Sequence, residues 1–137
     1  MGENFNIIQF LKSAVATGAS DEHLKVGHPP FIRKNGFIKK TNMPALTKEE
    51  LDNAILEIAP TAIRDEILTL CDVDFMYEIK GCSRFRVNYN RQLGLPALVI
   101  RNITYNIPQL KDLALPEILS SIVEYQNGIV LVTGPTG

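Results

Sequence analysis

Apolar residues recur at helical spacing at the start of the chain. Phe5, Ile8, Leu11 and Val15, joined by Ile7 and Ala14, form one stripe that stops at Gly18. Positions three and four apart share a helix face, so the spacing predicts an amphipathic helix over residues 4–17. The period then changes to two. In "ASDEHLKVG" (19–27), Leu24 and Val26 fall on one face of a strand and Asp21, His23 and Lys25 on the other. "HPPFIRKNGFIKK" follows, with Pro29-Pro30 as a break and Asn35-Gly36 as the two-residue signature of a type I′ hairpin. Three short strands are therefore expected within residues 19–40.

The helical period returns in "TKEELDNAILEIAP". Thr47 with Glu50 three residues later makes a capping box, and the stripe Leu51, Ala54, Ile55, Ile58 should end before Pro60. Pro60 suits the first turn of another short helix, "PTAIRDEILTLC". "DVDFMYEIKG" then alternates Val73, Phe75, Tyr77 and Ile79, the signature of a strand. "CSRFRVNYNRQ" and "LPALVIRNITY" meet around Leu93-Gly94. A turn centred there pairs Val87 with Ile100, Tyr89 with Leu98, Phe85 with Asn102 and Arg86 with Arg101. A further helix is expected within Pro108 to Tyr125, starting at Pro116-Glu117, and a last, buried strand at Ile129 to Thr133. Helix, strands, helices, then a run of strands argues for an α+β fold with a mainly antiparallel sheet, not a doubly wound one.

Composition narrows the function. Hydrophobic content of 45% and charged content of 21% suit a globular domain, and a net charge of −1 gives no footprint for nucleic acid. No apolar run approaches the roughly 20 residues of a membrane span. Glu3 sits where a signal peptide would carry basic residues, so the sequence reads as cytoplasmic. Cys71 and Cys82 belong to no C-x-x-C pair or Cys/His cluster and read as reduced thiols, with no metal site.

Two features carry candidate chemistry. Arg86 and Arg101, directly opposite on one sheet face, repel unless an anion or neighbouring carboxylates answer them, and arginine is shaped to grip phosphate oxygens at two points. The second is "NGIVLVTGPTG", an apolar strand entering Gly134-Pro135-Thr136-Gly137, which is the first half of a phosphate loop without its Lys and Ser/Thr. "SDEH" does not make a catalytic triad, because Ser20 and His23 point to opposite strand faces. His23 and His28 read as interface or surface positions, with a direct ligand role as the alternative. Asp72, Asp74 and Glu78 lie on the polar strand face, either solvated or as partners for Arg84 or Arg86.

Four stretches together resemble a known family: "TGASDEHLKVGHPPFIRKNG", "DVDFMYEIKGCSRFRVNYNRQ", "ALVIRNI" and "GIVLVTGPTG". In order, they are similar to the N-terminal domain of the type IV pilus retraction ATPases, the PilT twitching-motility proteins. The resemblance implies a PAS-like domain, its sheet flanked by helices, over residues 1–126. Residues 127–137 would be the last strand and the start of the Walker A loop of a RecA-like core, with the chain cut inside that loop. It also implies a homo-hexameric motor that uses ATP and Mg²⁺ when full length. Such a motor acts on pilus machinery at the cytoplasmic face of the inner membrane, and the fragment itself would be inactive. Family arginines that reach nucleotide phosphates fall at Arg86 and Arg101, and Gly134 to Gly137 fall in the phosphate loop. The competing expectation is a PAS-like sensor or scaffold module, which requires an apolar pocket between sheet and helices.

Overall fold

The computed structural model describes residues 5–105 and 107–134. The chain divides into two compact units, one up to Ile103 and one from Thr104 onward. The first holds helix α1 (Ile7–Thr17), strands β1 (Asp21–Lys25), β2 (Phe31–Lys34) and β3 (Phe37–Lys40), helix α2 (Lys48–Ile58), and strands β4 (Asp72–Ile79), β5 (Ser83–Gln92) and β6 (Leu95–Ile103). The six strands form one sheet in the order β3-β2-β1-β6-β5-β4, with every neighbouring pair antiparallel. The α+β, antiparallel expectation holds.

Local chemistry explains where the helices start and stop. The Asn6 side chain accepts the Gln9 N–H at 2.9 Å, and Phe5 just outside the helix stacks on Phe10 one turn in, ring centroids 5.6 Å apart. This is a cap with a hydrophobic staple. Gly18 closes α1 at φ 78°, where its N–H and that of Ala19 reach back to the Val15 and Ala14 carbonyls. The expected capping box of α2 is present: Glu50 N–H donates to the Thr47 hydroxyl and Thr47 N–H to the Glu50 carboxylate.

Both helices lay their apolar stripes on one face of the sheet. Ile7, Phe10 and Leu11 of α1 and Leu51, Ala54, Ile55 and Ile58 of α2 pack with Leu24, Phe85, Val87, Tyr89, Leu98 and Ile100. Tyr89, Phe85, Leu24, Leu98, Val87 and Ile100 are each no more than 1% exposed. Side chains therefore occupy the space between sheet and helices where the sensor alternative needs a pocket.

Two turns set the register. Asn35 and Gly36 adopt φ 51° and 80°, and Leu93 and Gly94 adopt φ 51° and 79°, so both hairpins have two-residue loops of type I′ geometry. Around Leu93-Gly94 the pairs Val87 with Ile100, Tyr89 with Leu98, Phe85 with Asn102 and Arg86 with Arg101 form as the sequence reading expects.

Three expected elements differ. Residues after Pro60 form turns and a single 3₁₀ turn, Ile67–Thr69, in place of a helix. Ile67 is fully buried, and the Arg64 guanidinium folds back to the Ala59 carbonyl at 2.9 Å, so one turn fills the site. The helix expected from Pro116 is instead two 3₁₀ turns, Glu117–Ser120 and Ile122–Glu124. A short helix is held by burying its apolar face, and here Ile118 and Val123 are exposed. The buried strand expected at Ile129 to Thr133 is absent too. Ile129 and Val132 are 83% and 93% exposed, and no described strand pairs with the segment, so it has neither a ladder nor a layer to bury it.

Truncating the cap with Thr47→Ala is expected to cost about 1 kcal/mol. Replacing the strained, exposed Leu93 with Asn, which tolerates a left-handed backbone, is expected to gain up to about 1 kcal/mol. Urea-unfolding midpoints of the two variants check both signs.

Candidate functional site

The face of the sheet turned away from α1 and α2 carries a row of charges set by register. Arg33 on β2 stands beside Asp21 on β1, Asp21 beside Arg101 on β6, and Arg101 beside Arg86 on β5. The two arginines singled out by the sequence are thus true neighbours. Their repulsion is answered from opposite sides. Arg101 Nε donates to Asp21 Oδ1 at 3.0 Å, and Arg86 Nε donates to Asp74 Oδ1 at 3.1 Å. Asp74 is therefore a partner of Arg86, one of the two alternatives open in the sequence, while Asp72 Oδ1 accepts from the Asn88 amide at 2.7 Å.

Asp21 is the anchor of this row. Its side chain is 9% exposed, and it accepts from the Ser20 hydroxyl at 2.8 Å while lying 3.6 Å from Arg33 Nε. Burial opposes its charge, but the Ser20 hydroxyl, Arg101 and Arg33 outweigh that and hold the carboxyl below its ordinary range. The Ser20 hydroxyl is thus spent on Asp21, and the "SDEH" stretch contains a salt-bridge anchor in place of a nucleophile.

Between the two ion pairs lies an open depression of about 300 Å³ lined by Asp21, Asp74, Arg86, Asn88, Val99 and Arg101. Arg86 and Arg101 are 58% and 62% exposed, and each is tethered through Nε. That geometry aims the guanidinium groups while leaving their terminal nitrogens to meet an anion. Phosphate oxygens match that donor set. Of the phosphate-loop residues, Gly134 is exposed in the segment after Val132, and Pro135, Thr136 and Gly137 fall outside the described residues.

Sequence reasoning missed Glu22 and Asn102. Directly behind the Asp21–Arg101 pair, on the helix-covered face, Glu22 is fully buried and its Oε1 accepts the Asn102 amide at 2.8 Å. The same amide donates to the Ala19 carbonyl, tying the end of α1 to β1 and β6. Burial, partly offset by that amide and reinforced by Asp21, pushes the Glu22 carboxyl up to about 8. The signal was available: strand alternation puts Glu22 on the face of Leu24 and Val26.

His23 sits across from Val99 and Phe31 on the charged face. Burial, and Arg33 to a lesser degree, lower its basicity against the pull of Asp21, and its Nε2 is buried without a partner among the described residues.

No family model matches the chain. Over 133 residues, 96% of its length, the chain is 35% identical to the type IV pilus retraction ATPase PilT of Pseudomonas aeruginosa, of which it covers 38%. Among solved structures, the pilus retraction motor PilT with bound ADP matches at TM-score 0.76 and 34% identity, across 97% of this chain and 39% of that one. The ATPase DotB of Legionella pneumophila matches at TM-score 0.79 and 26% identity, across 100% of this chain and 40% of that one. The chain therefore spans about two fifths of the length of these relatives. Its fold is that of the N-terminal domains of secretion ATPases. Within that class the relatives it resembles in sequence over nearly its whole length are PilT-type pilus ATPases, whose N-terminal part it matches.

The charge row yields paired expectations. Asp21→Asn, which strands two arginines, is expected to destabilise by about 2 kcal/mol, and Asp74→Asn, at an exposed pair, by less than about 1 kcal/mol. Because Asp21 titrates below its unfolded value of 3.8, its contribution is complete above that pH and is lost as pH falls through the lower folded value. Glu22 acts in the opposite sense. With a folded value of about 8 against 4.5, the folded state holds the extra proton between them, and stability declines as pH rises through that window. Glu22→Gln should flatten the decline and raise stability above pH 8 by about 1–3 kcal/mol, as read from melting curves across pH.

Proposed function

We propose that this chain is the N-terminal domain of an ATP-driven motor that retracts type IV pili, and that Arg86 and Arg101 reach the phosphates of its nucleotide. The single observation that carries the arginine assignment is their placement. They stand side by side on an exposed sheet face, each held at Nε by its own carboxylate, with the forked ends turned to a shallow depression. The 35% identity to PilT along nearly the whole chain supports the motor reading.

On this reading the domain occupies residues 1–126, and Gly134 to Gly137 open the Walker A loop of a RecA-like core lying in the remainder of the protein. The apolar run Ile129 to Thr133 would pair as a strand within that core, which accounts for its having no paired strand among the described residues. The core, from the same subunit or a neighbour in a homo-hexamer, binds ATP with Mg²⁺. The bound nucleotide supplies the phosphoryl-transfer chemistry, and the arginines stabilise charge that develops on it. Residues 1–137 lack the Lys and Ser/Thr of the motif, so they turn over no ATP by themselves. The motor works in the cytoplasm at the inner face of the membrane that anchors the pilus machinery.

The test is full-length protein carrying Arg86→Ala or Arg101→Ala. Each is expected to lower the ATPase rate about a hundredfold or more and to abolish pilus retraction. Lysine at either position should restore little, because a point charge does not reproduce the two-point grip. Unchanged ATPase rate and retraction in both variants would overturn the assignment.

A further inference from the structure

From Leu24 to Thr47 the chain carries Lys25, Arg33, Lys34, Lys39 and Lys40 and not one Asp or Glu, although its net charge is −1. The excess is concentrated on the β2–β3 hairpin. β3 lies at the edge of the sheet, and all four of its residues are exposed. Lysines on an edge strand are an ordinary defence against pairing with other chains. They do not explain why Phe37 is 73% exposed and Ile38 55% exposed at the tip of the same hairpin.

The positions of these two residues say what kind of surface covers them. Adjacent strand residues point to opposite sheet faces. A helix or groove laid on one face would cover Phe37 or Ile38 but not both, whereas a medium that surrounds the tip covers the two together. Lys39 and Lys40 follow two and three residues behind Phe37, roughly 7–10 Å back along the strand. Lys34 stands directly across from Phe37. An interfacial anchor buries its apolar part about 5–10 Å into the headgroup boundary, and a lysine stem that long lets the ammonium stay at phosphate level. Asn35-Gly36 forms the tight turn, and Arg33 donates to the Gly36 carbonyl at 3.4 Å and pairs with Asp21 at 3.6 Å.

We propose that the tip of the β2–β3 hairpin docks on an anionic lipid bilayer, with Phe37 and Ile38 entering the headgroup boundary and Lys34, Lys39 and Lys40 meeting lipid phosphates. The inference does not depend on the role given to Arg86 and Arg101, which lie on other strands.

Sedimentation of the full-length protein with phosphatidylcholine vesicles, with and without phosphatidylglycerol, tests it. Binding should require phosphatidylglycerol and weaken with salt. It should fall about tenfold or more in the double variants Phe37→Ser with Ile38→Ser and Lys39→Glu with Lys40→Glu. These residues are solvent-exposed, and unchanged melting temperatures will show that the variants fold. A second readout is Phe37→Trp, since these 137 residues contain no tryptophan. Its added emission should shift to the blue on vesicles and be quenched by brominated lipid. Equal binding by the double variants, binding that ignores phosphatidylglycerol, or a fully solvent-like added emission would overturn the proposal. Capture by polyglutamate without binding to vesicles would also overturn it, and would mark the surface as a dock for an acidic protein.

Discussion

The pairing of β1 with β6 is the constraint on which the sheet depends. Every other neighbouring pair of strands is consecutive in the chain, so each half of the sheet is a local meander: β1 to β3 on one side, β4 to β6 on the other. The halves become one sheet where Asp21 to Lys25 meet Ala97 to Arg101, residues about eighty positions apart. Three kinds of interaction converge on that seam. Leu24 meets Leu98 in the core, the Asp21 carboxylate clamps Arg101 on the open face, and Glu22 holds Asn102 beneath the helices. A register fixed at three points resists slippage, which would otherwise move each side chain to the wrong face.

The same seam organises the charged face. Arg101 is held by the first meander through Asp21, and Arg86 by β4 of its own meander through Asp74. The arginines are therefore drawn apart at their Nε atoms while remaining neighbours in the ladder. Local electrostatics is satisfied without an added anion, so the pair does not require a ligand to exist. What the arrangement supplies is orientation, since side chains fixed at one nitrogen lose less freedom when the others take up an oxygen. The carboxylates would also set a threshold for any phosphate bound there, which would have to compete with Asp21 and Asp74 for the guanidinium charge.

Much of this was legible in the residues, for local reasons. Asn35-Gly36 and Leu93-Gly94 announce tight turns, and a two-residue turn dictates the pairing on either side, so Arg86 opposite Arg101 follows by counting. The capping box at Thr47 is likewise a pattern of four residues. The seam was not legible, because nothing near Asp21 states that its partner lies at position 101. Asp21 as the anchor and Glu22 with Asn102 as the pair behind it depend on that long-range pairing. The segments after Pro60 and Pro116 failed for a different reason. Proline and an apolar residue every few positions are compatible with a helix, but a helix forms where a surface accepts its stripe. Ile67 needs one turn to be buried, and Ile118 and Val123 remain in solvent.

The exposed run Ile129, Val130, Leu131, Val132 has a colloidal consequence. It is apolar, uncharged and rich in β-branched residues, it follows Gly128 at φ 106°, and no described strand occupies its hydrogen-bonding groups. A segment of that composition is a template for strand addition between copies. When these 137 residues are concentrated, those four exposed residues offer neighbouring copies a strand edge that the packed sheet does not.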